Sequence, residues 1–503
     1  MKNLKIIFTI CFCVAATSLY AQSRHYNSQT LGMGGGGTAY IDGYHSNFLN
    51  PANLMLKKAK RPSTSLGIFG GLGVNVGGSL VNLGVYDDYF TKGLTLEGQV
   101  REDMLNDWFG AGVNNTRDLA VNLDIVPLGF SKRGRKSALS FATRVRVIED
   151  FTINRGFAEL AFYGLDSDQF GSAVPVNFNN TTISYAEVSI AYAREIPLPL
   201  QGLVESLPFI NGVKLYAGVA PKYIVGVQAS ELDFTSTLQV EPVGPTTAGG
   251  ITQNFDYSLY AFGELSDQLA NYATARQSNP DAKFDDFVDY SGSDSGTLGS
   301  GFGMDLGVTA EIDVSLPVLG ILGKRQVLRL AMSATDLGSV KFDKSPTRVT
   351  ANGEITFDGD AGDDTFEDYL DNFSDSLQND VYGDFTSVEE GARKYELPGM
   401  YNFGAALTLG KLTTTLDYGF GFNSTGANTR RSSLTLGTEY RLLGFIPLRF
   451  GTRLGGYSST VYSAGFGVDL KFIEFSFAAQ SASNSGELGS SVAAAWSGLL
   501  IRF

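Results

Sequence analysis

The fold is decided by the stretch KLTTTLDYGFGF, residues 411–422, in which larger side chains alternate with small or polar ones. One face of this stretch carries Leu412, Thr414, Leu416, Tyr418, Phe420 and Phe422, and the other carries Thr413, Thr415, Asp417, Gly419 and Gly421. A repeat of two residues is typical of a β-strand, because successive side chains point to opposite faces. The small, polar second face favours a barrel wall with lipid on one side and a wet or plugged lumen on the other.

The same alternation fills the region from Leu397 to Phe503 and is interrupted only by very short turns. It returns in YNFGAALTL at residues 401–409 and in VYSAGFGVDLKF at residues 461–472. The final segment, SGLLIRF, places Leu499, Ile501 and Phe503 on one face. We therefore expect consecutive membrane-spanning strands that close a barrel.

Further strands are predicted by alternation upstream of this region, at residues 64–76, 118–127, 138–149, 182–194, 212–227, 300–314 and 326–336. With seven strands in the last hundred residues, the predicted total is about fourteen, an even number as expected for a bacterial single-chain barrel. In the fourth strand, the set of residues predicted to face outward shifts from Ile183 and Tyr185 to Val188, Ile190 and Tyr192. This shift predicts a bulge near residues 186–187.

The lengths of the predicted connections alternate as well. Long links follow the odd strands, at residues 77–117, 150–181, 228–299 and 337–400, and short links follow the even ones. Outer-membrane barrels have long outer loops and short periplasmic turns, so both termini are expected in the periplasm. Amphipathic helices are predicted in the loops, at about residues 104–109, 259–275 and 363–377. Their apolar faces could receive a hydrophobic ligand or simply cover one another.

The first 21 residues are typical of a secretory signal peptide, with Lys2 and Lys5 before an apolar run and cleavage expected after Ala21. Both cysteines of the chain, Cys11 and Cys13, fall in this segment, so no disulfide framework is expected. Removing the two lysines takes the net charge from -14 to -16, which argues against nucleic acid as a partner. An exported, strand-rich chain that enters a membrane must close into a barrel, and the expected location is the outer membrane.

Residues 22–62 show no long alternation, and we expect them to form a plug, or hatch, inside a barrel of residues 63–503. They contain the glycine-rich run LGMGGGGTAYIDGYHSNFLNPANLML at residues 31–56. Gly32, Gly34 and Gly37 match a dinucleotide-binding fingerprint, but no buried strand precedes them and no βαβ unit follows. We interpret the glycines as positions that allow close backbone packing within the hatch.

The motif order resembles the N-terminal hatch of the FadL/TodX family of outer-membrane channels, including related PorV-like barrels. It consists of GMGG at residues 32–35, a short hydrophobic and acidic stretch at 38–42, then Asn50-Pro51-Ala52 and Leu54. The resemblance returns at Leu397-Pro398-Gly399, at Leu448-Arg449-Phe450-Gly451 and around Gly465 and Gly467.

The resemblance implies a passive channel for hydrophobic molecules, such as a long-chain fatty acid or a lipid-like compound, with Asn50, Pro51 and Ala52 as the moving or occluding element. Expected partners are then outer-membrane lipid and the hydrophobic cargo. A PorV-like role in protein secretion or surface assembly, with protein partners, is the alternative.

The amino-acid composition and motifs predict that the protein is not an enzyme and has no catalytic residue, metal site or cofactor. The chain has two histidines, His25 and His45, and lacks the GxSxG spacing of a nucleophile elbow. The acidic run from Asp358 to Asp364 departs from the EF-hand spacing and is interpreted as a solvated turn.

Arg144 and Arg146 are predicted to face the lumen. They could bind a ligand carboxylate, or pair with Asp124, Glu187 or hatch carboxylates. Lys214 and Lys222, also predicted inward, present the same two alternatives.

Overall fold

The structure is a computed structural model that describes residues 27–57, 63–197, 209–241, 250–279, 282, 286–287, 296–315, 326–358, 386–425, 428–456, 460–482 and 489–503. The predicted signal peptide, the predicted loop helix at residues 363–377 and nearly all of the acidic run at 358–364 lie outside the described residues. None of the helices in the described part of the chain has the length and apolar character needed to cross a bilayer.

One continuous antiparallel sheet contains all the strands of the described residues. Its first ten strands are β1 (Thr64–Gly78), β2 (Thr116–Arg133), β3 (Ser137–Asn154), β4 (Val174–Pro175), β5 (Phe178–Ile196), β6 (Ile210–Glu241), β7 (Gly250–Ala261), β8 (Gly299–Val314), β9 (Gln326–Phe342) and β10 (Thr347–Asp358). The others are β11 (Thr386–Glu389), β12 (Arg393–Glu396), β13 (Met400–Leu409), β14 (Leu412–Gly421), β15 (Ser433–Leu442), β16 (Ile446–Gly455), β17 (Val461–Asp469), β18 (Ile473–Ala482), β19 (Ser490–Trp496) and β20 (Leu499–Arg502).

The sheet closes on itself as a barrel because β1 pairs with β2 on one side and with β19 and β20 on the other. The wall strands pair in chain order when β4, β7, β10 and β11 are left out, so that β3 pairs with β5 and β6 with β8. Two wall positions are filled by successive segments: β12 and β13 along β9, and β19 and β20 along β1. The wall therefore has fourteen strands, as the alternation predicts.

The outer wall is apolar along the strands that the sequence identified. On β8 the outward residues are Phe302, Met304 and Leu306, and Phe302 is 75% exposed. Leu330 and Met332 on β9 and Phe450 on β16 continue this surface. A closed barrel pairs its wall strands' backbone groups around the ring, so it can present such a surface to lipid. This architecture confirms the predicted transmembrane β-barrel and its integral outer-membrane location.

The fourth wall strand differs from the prediction. Ile183 and Tyr185 are buried and share the inward face with Glu187, so the alternation of β5 continues through Ala186 without a bulge there. The register irregularity is on the neighbouring strand: Ser184 pairs with Gln228 and Tyr185 with Gly226, which leaves one extra residue in β6. The apparent change of phase arose because this part of the lumen is itself lined by apolar side chains.

We call the end of the barrel with the long connections the outer end. There β6 continues well beyond the wall and pairs with β7, which in turn pairs with β10. Helices occupy the same end at Leu83–Val85, Gly98–Phe109, Arg155–Tyr163 and Glu264–Ser278. The predicted helix at 104–109 is the last part of the second of these. The helix predicted at 259–275 starts later than expected, because residues up to Ala261 belong to β7.

Residues 27–57, which we call the N-terminal segment, lie inside the barrel. They form a short α-helix at Ser28–Leu31 and two 3-10 helices at Gly43–Phe48 and Pro51–Met55. A Cβ atom added to inward glycines of seven wall strands would collide with this segment: Gly67 and Gly129 with Tyr44, Gly218 with Ala52, Gly307 with Asn50, Gly404 with Thr38, and Gly437 and Gly451 with Met33. Only a segment inside the wall can approach so many strands around the circumference.

Candidate functional site

The lumen has three layers from the inner end to the outer end. The N-terminal segment fills the inner part, and its residues Ala52, Leu54, Met55 and Leu56 pack against small inward residues such as Ala191 and Ala193. A middle layer consists of charged side chains from the wall, which we call the ionic cluster: Asp124, Arg144, Arg146, Glu187, Lys222, Asp305 and Asp336. The outer layer is apolar. This order follows the inward positions along β3, where Arg144 and Arg146 precede Ile148.

The ionic cluster is buried and held together by ion pairs between six wall strands. Arg144 donates to both carboxylate oxygens of Glu187, at 3.0 Å from Nε to Oε2 and 3.0 Å from Nη2 to Oε1. Arg146 Nε donates to Asp124 Oδ1 at 3.0 Å. Lys222 Nζ lies 2.9 Å from Asp305 Oδ2. The bidentate pair fixes the direction of the arginine as well as its charge.

Asp336 joins the three cations of the cluster. Its carboxylate accepts from Arg144 Nη2 at 3.0 Å, from Arg146 Nη1 at 2.9 Å and from Lys222. The backbone of Asp336 has φ 54°, and the pairing of β8 with β9 is irregular beside it. This irregularity changes the phase of β9, so that Asp336, Val340 and Phe342 all face inward. A bulge that re-aims a side chain is a common device in strands near functional sites.

The charges of the cluster are nearly balanced. Three cations, Arg144, Arg146 and Lys222, face four carboxylates, so the formal sum is 3 − 4 = −1 if all are ionised. The structure thus pairs both predicted arginines with Asp124, Glu187 and a third partner, Asp336, that the sequence did not indicate. A ligand carboxylate placed here would add to an existing excess of negative charge. Lys214, by contrast, is exposed near the inner end of β6.

The N-terminal segment covers the ionic cluster through an aromatic ring. The guanidinium carbon of Arg144 lies 4.3 Å from the ring centroid of Phe48, and Lys222 Nζ lies 5.6 Å from it. Cations over an aromatic face are attracted by its quadrupole, most strongly where water is excluded. The ring thus closes the inner side of the cluster.

The predicted hatch residues 50–52 lie beside this layer, against β6 and β8. Asn50 Nδ2 donates to Thr38 O at 2.9 Å and to Thr309 Oγ1 at 3.0 Å, and its Oδ1 accepts from the backbone of Ala52. Pro51 and Ala52 meet the wall at Gly218, and Asn50 meets it at Gly307. The side chain of Asn50 is therefore hydrogen-bonded both to an earlier residue of the N-terminal segment, Thr38, and to the wall at Thr309.

A second region of contact joins the N-terminal segment to charged wall residues. The hydroxyl of Tyr40 donates to Glu439 Oε2, which also accepts from Arg449 Nε at 2.9 Å. The carboxylate of Asp417 accepts from the backbone amides of Gly37 and Thr38 at 3.0 and 2.8 Å. The wall thus supplies acceptors to amides and a hydroxyl of a segment that has few charges of its own.

The outer layer, which we call the lumen apolar cluster, consists of Ile148, Ile183, Tyr185, Ile224, Ala229, Tyr260, Phe262, Leu298, Val340, Phe342 and Leu397. Phe342 is at its centre, with its ring 5.6 Å from Phe262 and 5.6 Å from Tyr395. It lies against the wall at Gly226, where an added Cβ would be 2.6 Å from the Phe342 ring. Side chains from the outer connections therefore pack on inward wall residues in the outer part of the lumen.

The comparisons with known proteins give a family and several similar folds. Residues 56–480 match the model of a family of unknown function, DUF5723. No curated protein sequence matches the chain significantly.

Among solved structures, the Pseudomonas putida toluene transporter TodX is 11% identical, with 95% of this chain and 98% of that chain covered and a TM-score of 0.45. The CymD monoaromatic hydrocarbon channel is 12% identical, with 96% and 99% covered and a TM-score of 0.43. A Pseudomonas aeruginosa FadL homologue is 11% identical, with 97% and 100% covered and a TM-score of 0.41.

Each of these three structures is matched over nearly the whole length of this chain. The match to the family model covers most of the sequence, including the ionic cluster and the lumen apolar cluster. The chain belongs to the DUF5723 family, and its fold is a fourteen-stranded outer-membrane barrel that encloses its own N-terminal segment.

Proposed function

We propose that the protein is a channel for the passive uptake of hydrophobic molecules across the outer membrane. The observation that carries this proposal is the lumen apolar cluster. Outer-membrane barrels commonly have polar interiors, whereas here Ile148, Ile224 and Phe342 face inward from three wall strands. A hydrophobic molecule that displaced part of this cluster would exchange one apolar environment for another, while a hydrated solute would have to lose its water.

The charge of the ionic cluster indicates which hydrophobic molecules would pass through the lumen. Its formal charge of −1 disfavours a carboxylate, so we expect neutral hydrophobic molecules to be preferred over fatty-acid anions. In this proposal Arg144 and Arg146 hold the middle layer together instead of binding cargo. Passage then requires the N-terminal segment to move, with Asn50, Pro51 and Ala52 as the part whose contacts to β6 and β8 must change.

The proposal is tested by removing the ring at the centre of the lumen apolar cluster. Phe342→Ala takes away the contacts to Phe262 and Tyr395, so the influx of the hydrophobic probe N-phenylnaphthylamine into cells should rise severalfold. Phe302→Ala is the matched control, because Phe302 projects from the neighbouring strand towards lipid. Equal influx for Phe342→Ala, Phe302→Ala and the parent protein at equal outer-membrane abundance would contradict the proposed route.

The secretion alternative makes a different prediction. A component of a secretion or surface-assembly system should return protein partners in stoichiometric amounts when captured from solubilised outer membranes. A channel should return alone and retain small hydrophobic molecules. Native mass spectrometry of the captured protein in mild detergent scores both outcomes in one experiment.

A further inference from the structure

The turn between β2 and β3 carries a group of basic residues at the inner end of the barrel. Its sequence, SKRGRKS at residues 131–137, contains four basic residues and no acidic one. Gly134 N donates to Ser137 O at 2.7 Å, which closes the turn, and Glu195 N on β5 donates to Lys136 O at 3.0 Å. The backbone that carries these charges is therefore held against the wall.

Two basic side chains of this region lie on the outer surface of the wall. Lys132 is exposed on the outward face of β2, and Arg194 is exposed on the outward face of β5, where Tyr192 is its neighbour. Arg133, on the opposite face of β2, is used within the barrel, because its Nη1 donates to Leu56 O at 2.5 Å. The alternation of the strands thus directs Lys132 and Arg194 towards the membrane.

The two outward cations are close enough to bind the same anion. Leu139 on β3 pairs with Lys132 on one side and with Tyr192 on the other, and Arg194 is two residues further along β5. Neighbouring strands are about 4.8 Å apart and a strand rises about 3.4 Å per residue, so the Cα atoms of Lys132 and Arg194 are about 12 Å apart. Long lysine and arginine side chains can converge on one group from this separation.

The charge of this surface is not compensated by the protein. We define the basic rim patch as the four exposed cations Lys132, Arg135, Lys136 and Arg194. None of the four forms an ion pair with another residue of the described ranges. Glu195, the carboxylate next to Arg194, faces the lumen, because it pairs with the buried Tyr216. The patch therefore presents a formal charge of +4 to its surroundings.

Apolar side chains continue the patch along the wall in the outward direction. Leu139 is 56% exposed, Ile190 is 57% exposed and Tyr192 is 42% exposed. Tyrosine is enriched where a membrane meets water, so Tyr192 beside Arg194 indicates the level of the head groups. A ligand that fits both parts of this surface has an anionic group at one end and hydrocarbon chains at the other.

The membrane itself supplies such a ligand at this level. The lengths of the connections predict that the inner end faces the periplasm, where the adjacent leaflet consists of phospholipid. Clusters of lysine and arginine beside a membrane surface attract anionic lipids. Guanidinium groups also bind phosphate through two parallel hydrogen bonds.

We propose that the basic rim patch binds the phosphodiester group of an anionic phospholipid whose acyl chains lie along Leu139, Ile190 and Tyr192. The site is outside the lumen and does not depend on the proposed uptake function. Phosphatidylglycerol represents this lipid class, and phosphatidylcholine, which has the same phosphodiester but no net charge, is the comparison.

The test is native mass spectrometry of the protein in mild detergent with equal amounts of dioleoyl phosphatidylglycerol and dioleoyl phosphatidylcholine. The parent protein should retain phosphatidylglycerol in preference. Lys132→Gln combined with Arg194→Gln should weaken phosphatidylglycerol binding about tenfold, because basic residues near a membrane surface attract anionic lipid. Equal retention of the two lipids by the parent protein would overturn the proposal.

Two other lysines of the inner turns provide the matched control. Lys411 and Lys471 are exposed at the same end of the barrel, in the turns between β13 and β14 and between β17 and β18. Lys411→Gln combined with Lys471→Gln removes two positive charges as well, so it should leave the preference unchanged. An equal loss of phosphatidylglycerol in both double variants would show that net charge alone attracts the lipid, and the site would be refuted.

Two additions make the result decisive. An excess of inorganic phosphate should not displace phosphatidylglycerol, and displacement would show a site for free anions instead of lipid. Folding of each variant is checked by its mobility on cold gels. If Lys132→Gln with Arg194→Gln does not fold, Arg135→Gln combined with Lys136→Gln in the exposed turn takes its place, with the same loss expected and an unchanged preference contradicting the proposal.

Discussion

Asp336→Asn perturbs the ionic cluster at the residue that joins its three cations. Asparagine is among the few residues that tolerate positive φ, so the substitution changes the charge at φ 54° while keeping the backbone preference. It also preserves the volume of the side chain. Any loss of stability can therefore be assigned to the hydrogen bonds from Arg144, Arg146 and Lys222.

The size of the effect follows from the number of donors left without a charged acceptor. Removing one partner of a buried, hydrogen-bonded charge pair costs about 3–5 kcal/mol. The amide oxygen of asparagine can still accept one or two hydrogen bonds, and the formal charge of the cluster rises from −1 to 0. Both offset part of the loss, so we expect a decrease in the free energy of unfolding of about 3 kcal/mol, at the lower end of that range.

The assay is equilibrium unfolding of the refolded barrel in detergent micelles with guanidinium chloride, followed by the mobility difference between folded and unfolded protein on cold gels. Asp343→Asn is the matched control: its partner Lys341 lies 3.4 Å away, and their side chains are 54% and 58% exposed. An exposed pair contributes about 0–1 kcal/mol. Equal losses for the two variants would refute the view that the ionic cluster is a tightly paired layer.

Two further predictions concern the N-terminal segment and an outer helix. Gly451→Val places a side chain where Met33 and Gly34 pass the wall, so it should displace the N-terminal segment. A cysteine introduced at the buried Ser46 should then become reactive towards a maleimide. Gly391→Val is the control and should leave this cysteine unreactive, because a Cβ added at Gly391 meets no atom within 4 Å. Burial raises the pKa of Glu159 even though Arg155 Nε donates to it at 3.0 Å. Because the folded state then binds this proton more tightly, the helix Arg155–Tyr163 should lose stability as pH rises from the ordinary glutamate pKa, about 4.3, to the raised value. Hydrogen exchange of that helix should show this dependence, and Glu159→Gln should remove it.

The wall of the barrel was predictable because lipid imposes a strict pattern on it. The outward face needs an apolar band and every strand must span the same membrane thickness, so alternation located the wall strands and their number. The turns at residues 410–411 and 134–136 are short, as predicted for connections that follow even strands. The inner face carries no such rule, and this is why Ile183 and Tyr185 were misplaced.

The site was less predictable because it depends on contacts between strands far apart in sequence. Arg144 and Arg146 were recognised as inward, and two of their partners, Asp124 and Glu187, lie on neighbouring strands. Asp336 was missed, because the irregularity that turns it inward is not visible as a period of two. The inward glycines that receive the N-terminal segment had a visible signal, their recurrence on the face opposite the apolar one. Their common partner could not be inferred from spacing.

The most direct test of the account is the selectivity of influx in cells that carry the protein in an otherwise unchanged outer membrane. N-phenylnaphthylamine reports the entry of a hydrophobic solute, and nitrocefin hydrolysis by a periplasmic β-lactamase reports the entry of a hydrophilic one. A lumen that contains an apolar cluster above a paired ionic layer predicts faster N-phenylnaphthylamine influx, with nitrocefin hydrolysis unchanged from cells without the protein. Nitrocefin entry that rises as much as N-phenylnaphthylamine influx, or no change in either, would contradict it.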